Sequence, residues 1–144
     1  MKNLDLMLSK AIEIAAKAHS GVFDKGGKPY ILHPLWVMNK VRFAGTKAMI
    51  VAVLHDVVED TLYQINDLID LGIDDDEVIT ALKLLDFRNV DYDQRIKEIA
   101  NNDLAKLVKL RDIEHNSKVT RLKGLRKKDF DRLEKYLRSY TYLS

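Results

Sequence analysis

Residues 54–61 of the chain read LHDVVEDT, and four of these eight side chains can ligate a cation or move a proton. His55 and Glu59 are four residues apart, as are Asp56 and Asp60, so on a helix each pair stacks along one face. The apolar run AMIVAVL (48–54) leads straight into this cluster, so its charges begin where a buried segment ends. A charge at the edge of a core is costly unless it is paired or bound to metal. The pattern therefore points to a metal site. Cysteine is absent, which removes disulfides and thiolate ligands and leaves imidazole and carboxylate. His33 and Asp112 complete a candidate set with His55 and Asp56. His33 stands at a loop-to-helix junction before Pro34, and Asp112 lies near the end of an apolar helix, beside Arg111 and four residues before Asn116. Spacing along the chain does not tie these two to the His-Asp pair; helices must bring them together. Mixed nitrogen and oxygen ligation suits Mn²⁺, Fe²⁺, Zn²⁺ or Mg²⁺, and a roughly octahedral site favours Mn²⁺ among them. Each residue also has a plainer reading. Glu59-Asp60 can be solvated helix-end charges, His33 a turn residue, and Asp112 half of a surface ion pair with Arg111 worth about 0–1 kcal/mol.

The elements that must position these residues read as helices almost throughout. Residues 4–18 place Leu4, Leu8, Ala11, Ile12, Ala15 and Ala18 on one helical face. His19 closes that helix, where a positive charge suits the dipole. The stretch SGVFDKGGKPY (20–30) interrupts the pattern with glycines and a proline and reads as a surface loop, a common place to grip ligands. Pro34 suits the first turn of a second helix ending near Ala44, with Gly45 as its stop. Thr46 then opens the helix that carries the His-Asp cluster. The run Ile50, Val51, Val53 also permits a buried strand, but alternation would send His55 and Asp56 to opposite faces, and no partner strand is evident. Thr61 with Gln64, Asp74 with Glu77, and Asp91 with Gln94 carry the signature of helix starts. In 103–118, Leu104, Leu107, Val108 and Ile113 point inwards. In the tail, 121–143, Phe130, Leu133, Leu137 and Tyr140 form one side. Trp36 and tyrosines 136, 140 and 142 read as packing residues, and His115 as exposed. The expectation is an all-α, compact helical bundle forming a single domain over 1–144.

Net charge is close to balance at +2 for 144 residues, so composition alone demands neither nucleic acid nor membrane. AMIVAVL is far short of a membrane span. The start, MKNLDLMLSK, has an early acid and no apolar core, so it does not read as a secretory signal, and a cytoplasmic protein is expected. From Val119 to Ser144, eight basic residues stand against three acidic ones. Such a cluster can bind nucleic acid, but a solvated face that attracts an anionic nucleotide is the preferred reading. The sequence sets no oligomeric state.

Three segments, AHSGVFDKGGKPYILHP (18–34), LHDVVEDT (54–61) and VKLRDIEHN (108–116), resemble the successive motifs of the HD-domain hydrolases of the RelA/SpoT type. The resemblance runs from about Leu8 to Asn116. It implies an HD-type helical domain that uses one Mn²⁺ to remove the 3′-pyrophosphate from the alarmones ppGpp and pppGpp. His33, His55, Asp56 and Asp112 match the family's metal ligands. Glu59 and Asp60 match the acidic pair that positions and deprotonates the attacking water. Lys25 matches a basic residue of the nucleotide pocket, and Asn116 one that contacts the ribose side of the substrate; Lys118 would offset charge on the pyrophosphate. Three positions depart from the family. Asp24 stands where an arginine lies against the guanine base, Val22 where the family has glutamine, and Val119 where it has threonine. The expected partner is a small phosphorylated nucleotide. Within the same chemistry, the 2′-phosphate of NADPH or an adenine alarmone is the alternative substrate. A non-catalytic nucleotide- or nucleic-acid-binding module is the alternative of a different class, and retention of Glu59-Asp60 argues against it.

Overall fold

The apolar run before His55 becomes the centre of the fold. In the computed structural model, which describes residues 3–144, α3 (Thr46–Leu54) is a helix, and Ile50 to Leu54 have no exposed surface. A helix apolar on every side must be covered on every side. It is packed against α1 (Leu4–Ala18), α2 (Leu32–Lys40), α6 (Asp76–Leu84) and α8 (Asp103–Asn116). The strand alternative falls away: among the described residues there is only an isolated antiparallel bridge, Phe23 with Pro29, inside the 20–30 loop. Met1 and Lys2, the start of the segment read as lacking a signal, lie outside the described residues. No described helix is long and apolar enough to cross a membrane.

Local signals set most of the boundaries. Asn3 caps α1 by accepting the Leu6 N–H at 3.0 Å. The buried face of α1 is Met7, Ala11, Ile14 and Ala15, so Leu4, Leu8 and Ile12 flank the core rather than centre it. Pro34 sits in the first turn of α2, where its missing N–H costs nothing. That helix ends earlier than expected, at Lys40. A 3-10 turn (Arg42–Ala44) then leads to Gly45, whose φ of 102° an L side chain rarely adopts.

The largest departure lies at the catalytic motif. His55 and Asp56 do not sit within one continuous helix but form the break between α3 and the short α4 (Val57–Asp60). The imidazole is the physical reason: His55 Nδ1 lies 2.5 Å from the Ala52 carbonyl, while the backbone N–H of His55 reaches that carbonyl only at 3.5 Å. The side chain replaces a helical bond and the ladder stops. Thr61 donates its hydroxyl back to the Val57 carbonyl, so it closes α4 instead of opening the next helix. The reciprocal cap of α5 (Ile65–Asp70) is Gln64 with Asp67. α6 starts one residue later than expected: its N-cap is Asp75, whose carboxylate accepts the Val78 N–H at 3.1 Å. α7 (Tyr92–Ile99) starts as expected, with Asp91 accepting from Gln94.

α9 (Lys127–Leu143) turns only part of the expected side inwards: Leu133 and Tyr140 are half-buried, and Tyr140 packs against the core. Phe130 and Leu137 are 58% and 68% exposed, whereas Asp129, Ser139 and Leu143 are buried. The surface it meets on α7 and α8 is polar. Tyr140 Oη donates to Glu114 at 3.1 Å, and Ser139 Oγ lies 3.3 Å from Tyr92 Oη. In α8 the inward side is mixed for the same reason: Val108 and Ile113 are buried with Lys109, Asp112 and His115, while Leu104 and Leu107 pack at the edge of the core.

Candidate active site

Three separate segments supply the four candidate ligands. His33 comes from the first turn of α2, His55 and Asp56 from the α3–α4 break, and Asp112 from the third turn of α8. One ligand atom from each lies within 4.8 Å of all the others. His33 Nε2 is 2.8 Å from Asp112 Oδ1 and 3.6 Å from Asp56 Oδ2. His55 Nε2 is 3.2 Å from the same Asp112 oxygen and 3.1 Å from Asp56 Oδ2. Both imidazoles have Nδ1 occupied by protein, His55 on the Ala52 carbonyl and His33 on His115 Nδ1 at 2.7 Å. Their Nε2 atoms therefore face the carboxylates, the orientation a cation ligand needs. A buried set of two imidazoles and two carboxylates fits a divalent cation with nitrogen and oxygen preference.

Neighbouring groups set the charge of this cluster. Burial opposes ionisation of Asp112, but the Lys109 ammonium at 3.0 Å and the two imidazoles prevail, and its carboxyl is held well below the usual range. Asn116 Nδ2 donates to Asp112 Oδ1 at 2.9 Å. Burial likewise opposes protonation of His55, yet Asp56 and Asp112 raise its pKa. Tyr30 Oη donates to Asp56 Oδ2 at 2.5 Å and lies 3.4 Å from Asp60 Oδ2.

Asp56 and Asp112 form the floor of a cavity of about 550 Å³, whose wall includes Glu59, Asp60, Lys25, Asn116 and Lys118. His33 and His55 do not line it; they are buried beside the two aspartates. Glu59 Oε1 accepts the Phe87 N–H at 2.9 Å. Burial first, and then the nearby Asp56 charge, raises the Glu59 carboxyl, and burial with Asp56 and Glu59 raises that of Asp60 to about 6. Lys25 is mostly exposed, its ammonium 3.8 Å from Asp129. The Lys118 ammonium lies over the Trp36 ring, 4.5 Å from its centre.

One histidine contradicts its sequence reading. His115 is buried, not exposed, and its ring packs on Trp36 with centroids 4.3 Å apart. Burial, with Arg121 and His33 beside it, lowers its pKa to about 4. His19 closes α1 as expected, but it is buried against Tyr30 on the cavity wall, where burial lowers its pKa and disfavours the charge expected there. Tyr30, Lys109 and Arg121 were also missed. Lys109 and His115 carried a legible signal, since they flank Asp112 at three residues on either side, on its own helical face.

At the cavity mouth, Asp24 is consumed locally. Its Oδ1 accepts the Gly26 and Lys28 N–H groups, each at 2.9 Å, and its Oδ2 pairs with Arg121 at 3.2 Å. Arg121 also donates to the His115 carbonyl at 3.0 Å. Gly26 lies so close to the Arg121 carbonyl that a Cβ there would be 2.1 Å from it, which fixes the 20–30 loop against the segment after α8.

Comparison with known proteins places this geometry. No protein-family model matches the chain. The guanosine-3′,5′-bis(diphosphate) 3′-pyrophosphohydrolase of Borreliella burgdorferi is 33% identical over 88% of this chain and 20% of its own length. The protein of the same name from Haemophilus influenzae is 32% identical over 72% of this chain and 17% of its own length. The bifunctional (p)ppGpp synthase/hydrolase RelA of Mycobacterium tuberculosis is 42% identical over 59 residues, 40% of this chain and 8% of the relative. The chain spans no more than a fifth of the length of these relatives. A solved structure of a metazoan ortholog of SpoT, described as hydrolysing ppGpp and acting in starvation responses, superposes with a TM-score of 0.75 at 20% identity, covering 95% of this chain and 84% of that one. The chain is thus homologous to one segment of the RelA/SpoT-type ppGpp 3′-pyrophosphohydrolases and shares the fold of the metazoan ortholog.

Proposed function

We propose that this chain is a metal-dependent hydrolase that removes the 3′-pyrophosphate from guanosine tetraphosphate or pentaphosphate, giving GDP or GTP and pyrophosphate. One observation carries the reading: two imidazoles and two carboxylates converge within 4.8 Å beneath a cavity walled by acids of raised pKa, in a homologue of proteins named for this reaction. His33, His55, Asp56 and Asp112 hold one divalent cation, Mn²⁺, a choice that their nitrogen and oxygen donors support. When bound, such a cation polarises a phosphoryl oxygen and makes water more acidic.

The chain's own residues do the rest. Tyr30 fixes Asp56 from the cavity side. Glu59, with one oxygen held by the Phe87 N–H, turns the other to the attacking water and takes its proton. Asp60 holds that arrangement. The water oxygen ends on the pyrophosphate, the bond from phosphorus to the 3′ oxygen breaks, and the proton that Glu59 took passes to that oxygen as it leaves. Lys25 and Lys118 offset the phosphate charge, and Asn116 faces the ribose. The reaction belongs in the cytoplasm, on a small phosphorylated nucleotide rather than nucleic acid, within one domain spanning 1–144.

Asp24, tied to Arg121, favours a second reading in which the base is read differently and the substrate is an adenine alarmone or the 2′-phosphate of NADPH. Purified chain with Mn²⁺ and each of ppGpp, pppGpp, an adenine counterpart and NADPH separates these. Pyrophosphate release from ppGpp is expected. Orthophosphate from NADPH with ppGpp left intact would move the assignment to the second reading, and binding without turnover of any of them would make the chain a binding module.

A further inference from the structure

His115 is the one histidine of the cluster that neither faces the carboxylates nor reaches the cavity, and its geometry is specific. Its ring and that of His33 are nearly parallel, at 6°, with centroids 5.0 Å apart and Nδ1 atoms only 2.7 Å apart. An N···N separation that much shorter than the centroid separation places the two rings edge to edge, as in an in-plane hydrogen bond. Trp36, one turn along α2 from His33, packs face to face on His115 at 14°, which holds the His115 ring in that plane. Two ring nitrogens at this distance share one proton, because two N–H groups would collide and two lone pairs would repel. If His115 donates, His33 is left with its proton on Nε2, pointing at Asp112, and it has no lone pair for a cation. If His33 donates, its Nε2 is bare and directed at Asp112 and Asp56.

We propose that His115 is a positioning residue for the cation site: its Nδ1 accepts the His33 Nδ1–H and so fixes His33 in the tautomer whose Nε2 can ligate. This rests on the proposed function in taking His33 as a ligand. A metal-bound histidine usually gives its second N–H to a carboxylate, a carbonyl or water. Here the acceptor is a neutral ring. It selects the tautomer without adding a third negative charge to a buried cluster that already holds Asp56 and Asp112. The Trp36 ring, under the Lys118 ammonium, makes that acceptor rigid.

Titration calorimetry with Mn²⁺ on the unmodified chain, His115→Phe and His115→Asn tests this. Phenylalanine keeps the packing on Trp36 and removes the acceptor, so Mn²⁺ should bind about 10–100-fold more weakly, the usual cost of losing an outer partner of a ligand histidine. Asparagine can accept the same N–H and should recover at least part of that loss. Equal binding by His115→Phe, or asparagine no better than phenylalanine, overturns the positioning role. Absence of Mn²⁺ binding by the unmodified chain overturns the cation site itself and this proposal with it. Should His115→Phe not fold, ¹⁵N spectra of the unmodified protein loaded with Zn²⁺ decide: His115 should carry its proton on Nε2, and a proton on its Nδ1 would refute the inference.

Discussion

The floor and the mouth of the cavity are built in different ways. On the floor, every candidate ligand is buried or nearly so and comes from a helix or from the break between α3 and α4, and each is held by other groups: His33 by His115, His55 by the Ala52 carbonyl, Asp56 by Tyr30, and Asp112 by Lys109 and Asn116. At the mouth the residues come from two loops, and Val22 and Phe23 on the cavity wall are 47% and 65% exposed. The two loops are tied there by the Asp24 to Arg121 ion pair, supported by the close approach of Gly26. A site whose side chains are each held twice tolerates few replacements, whereas loops tolerate many. On the proposed function, the floor would carry the reaction and the mouth would meet the nucleotide.

That contrast is broken most directly on the floor. Asp56→Ala removes a ligand and the partner of both Tyr30 and His55. Loss of Mn²⁺ binding by calorimetry, and of turnover by more than the about 10–100-fold that outer partners cost, is expected. Glu59→Gln should keep Mn²⁺ affinity and lower kcat by about 10²–10⁴-fold, the range of a general base. Turnover equal to that of the unmodified protein would remove Glu59 from the mechanism. Because the Asp60 carboxyl is raised to about 6, it is protonated in acid and the rate should climb as pH rises through that region. The same shift has a stability sign. A carboxyl with a raised folded pKa favours the native state at low pH and costs stability once pH exceeds it, so Asp60→Asn should raise Tm at pH 8 and leave it nearly unchanged at pH 4.

Lys109 is a subtler test of the floor. Its ammonium is buried on Asp112 and lies 4.5 Å from the centre of the Phe87 ring, while the Phe87 N–H holds Glu59. Lys109→Met strands the Asp112 carboxylate, and the native state should lose about 3–5 kcal/mol by urea unfolding, the cost of breaking a buried pair from one side. Asp112→Asn introduced alongside should recover part of that loss, because no charge then remains unpaired.

What the sequence revealed follows the same division. Residue type alone left 4 histidines and 22 carboxylates as possible ligands, and it was the motifs that named His33, His55, Asp56 and Asp112. Helical period located α1 and α8, the apolar run located α3, and the pair Asp91 and Gln94 located the start of α7. The break at His55 was not legible, because it depends on an imidazole reaching the Ala52 carbonyl rather than on any helix-stopping residue type. The buried side of α9 was half legible: Leu133 and Tyr140 lie on it, but Phe130 and Leu137 do not, because hydrophobic pattern assumes an apolar partner and part of the surface presented by α7 and α8 is polar. His115 looked exposed for a related reason: a histidine among charged residues reads as surface until Trp36 and His33 are seen to cover it.

The mouth calls for the smallest effect and the finest measurement. Asp24 cannot lie flat against a base as a guanidinium does, and its oxygens are already taken by Gly26, Lys28 and Arg121. Arg121, the planar cation beside it on that wall, is itself tied to Asp24 and the His115 carbonyl. With neither group free to read a base edge, guanine and adenine 3′-pyrophosphate nucleotides should differ in kcat/KM by less than about tenfold, or 1.4 kcal/mol. Arg121→Ala should raise KM for both to a similar degree and leave kcat within about twofold, since uniform binding is what a remote phosphate or base contact supplies. A guanine preference above tenfold that disappears in Arg121→Ala would show that the mouth reads the base after all, through Arg121, and would make the two ends of the cavity equally specific.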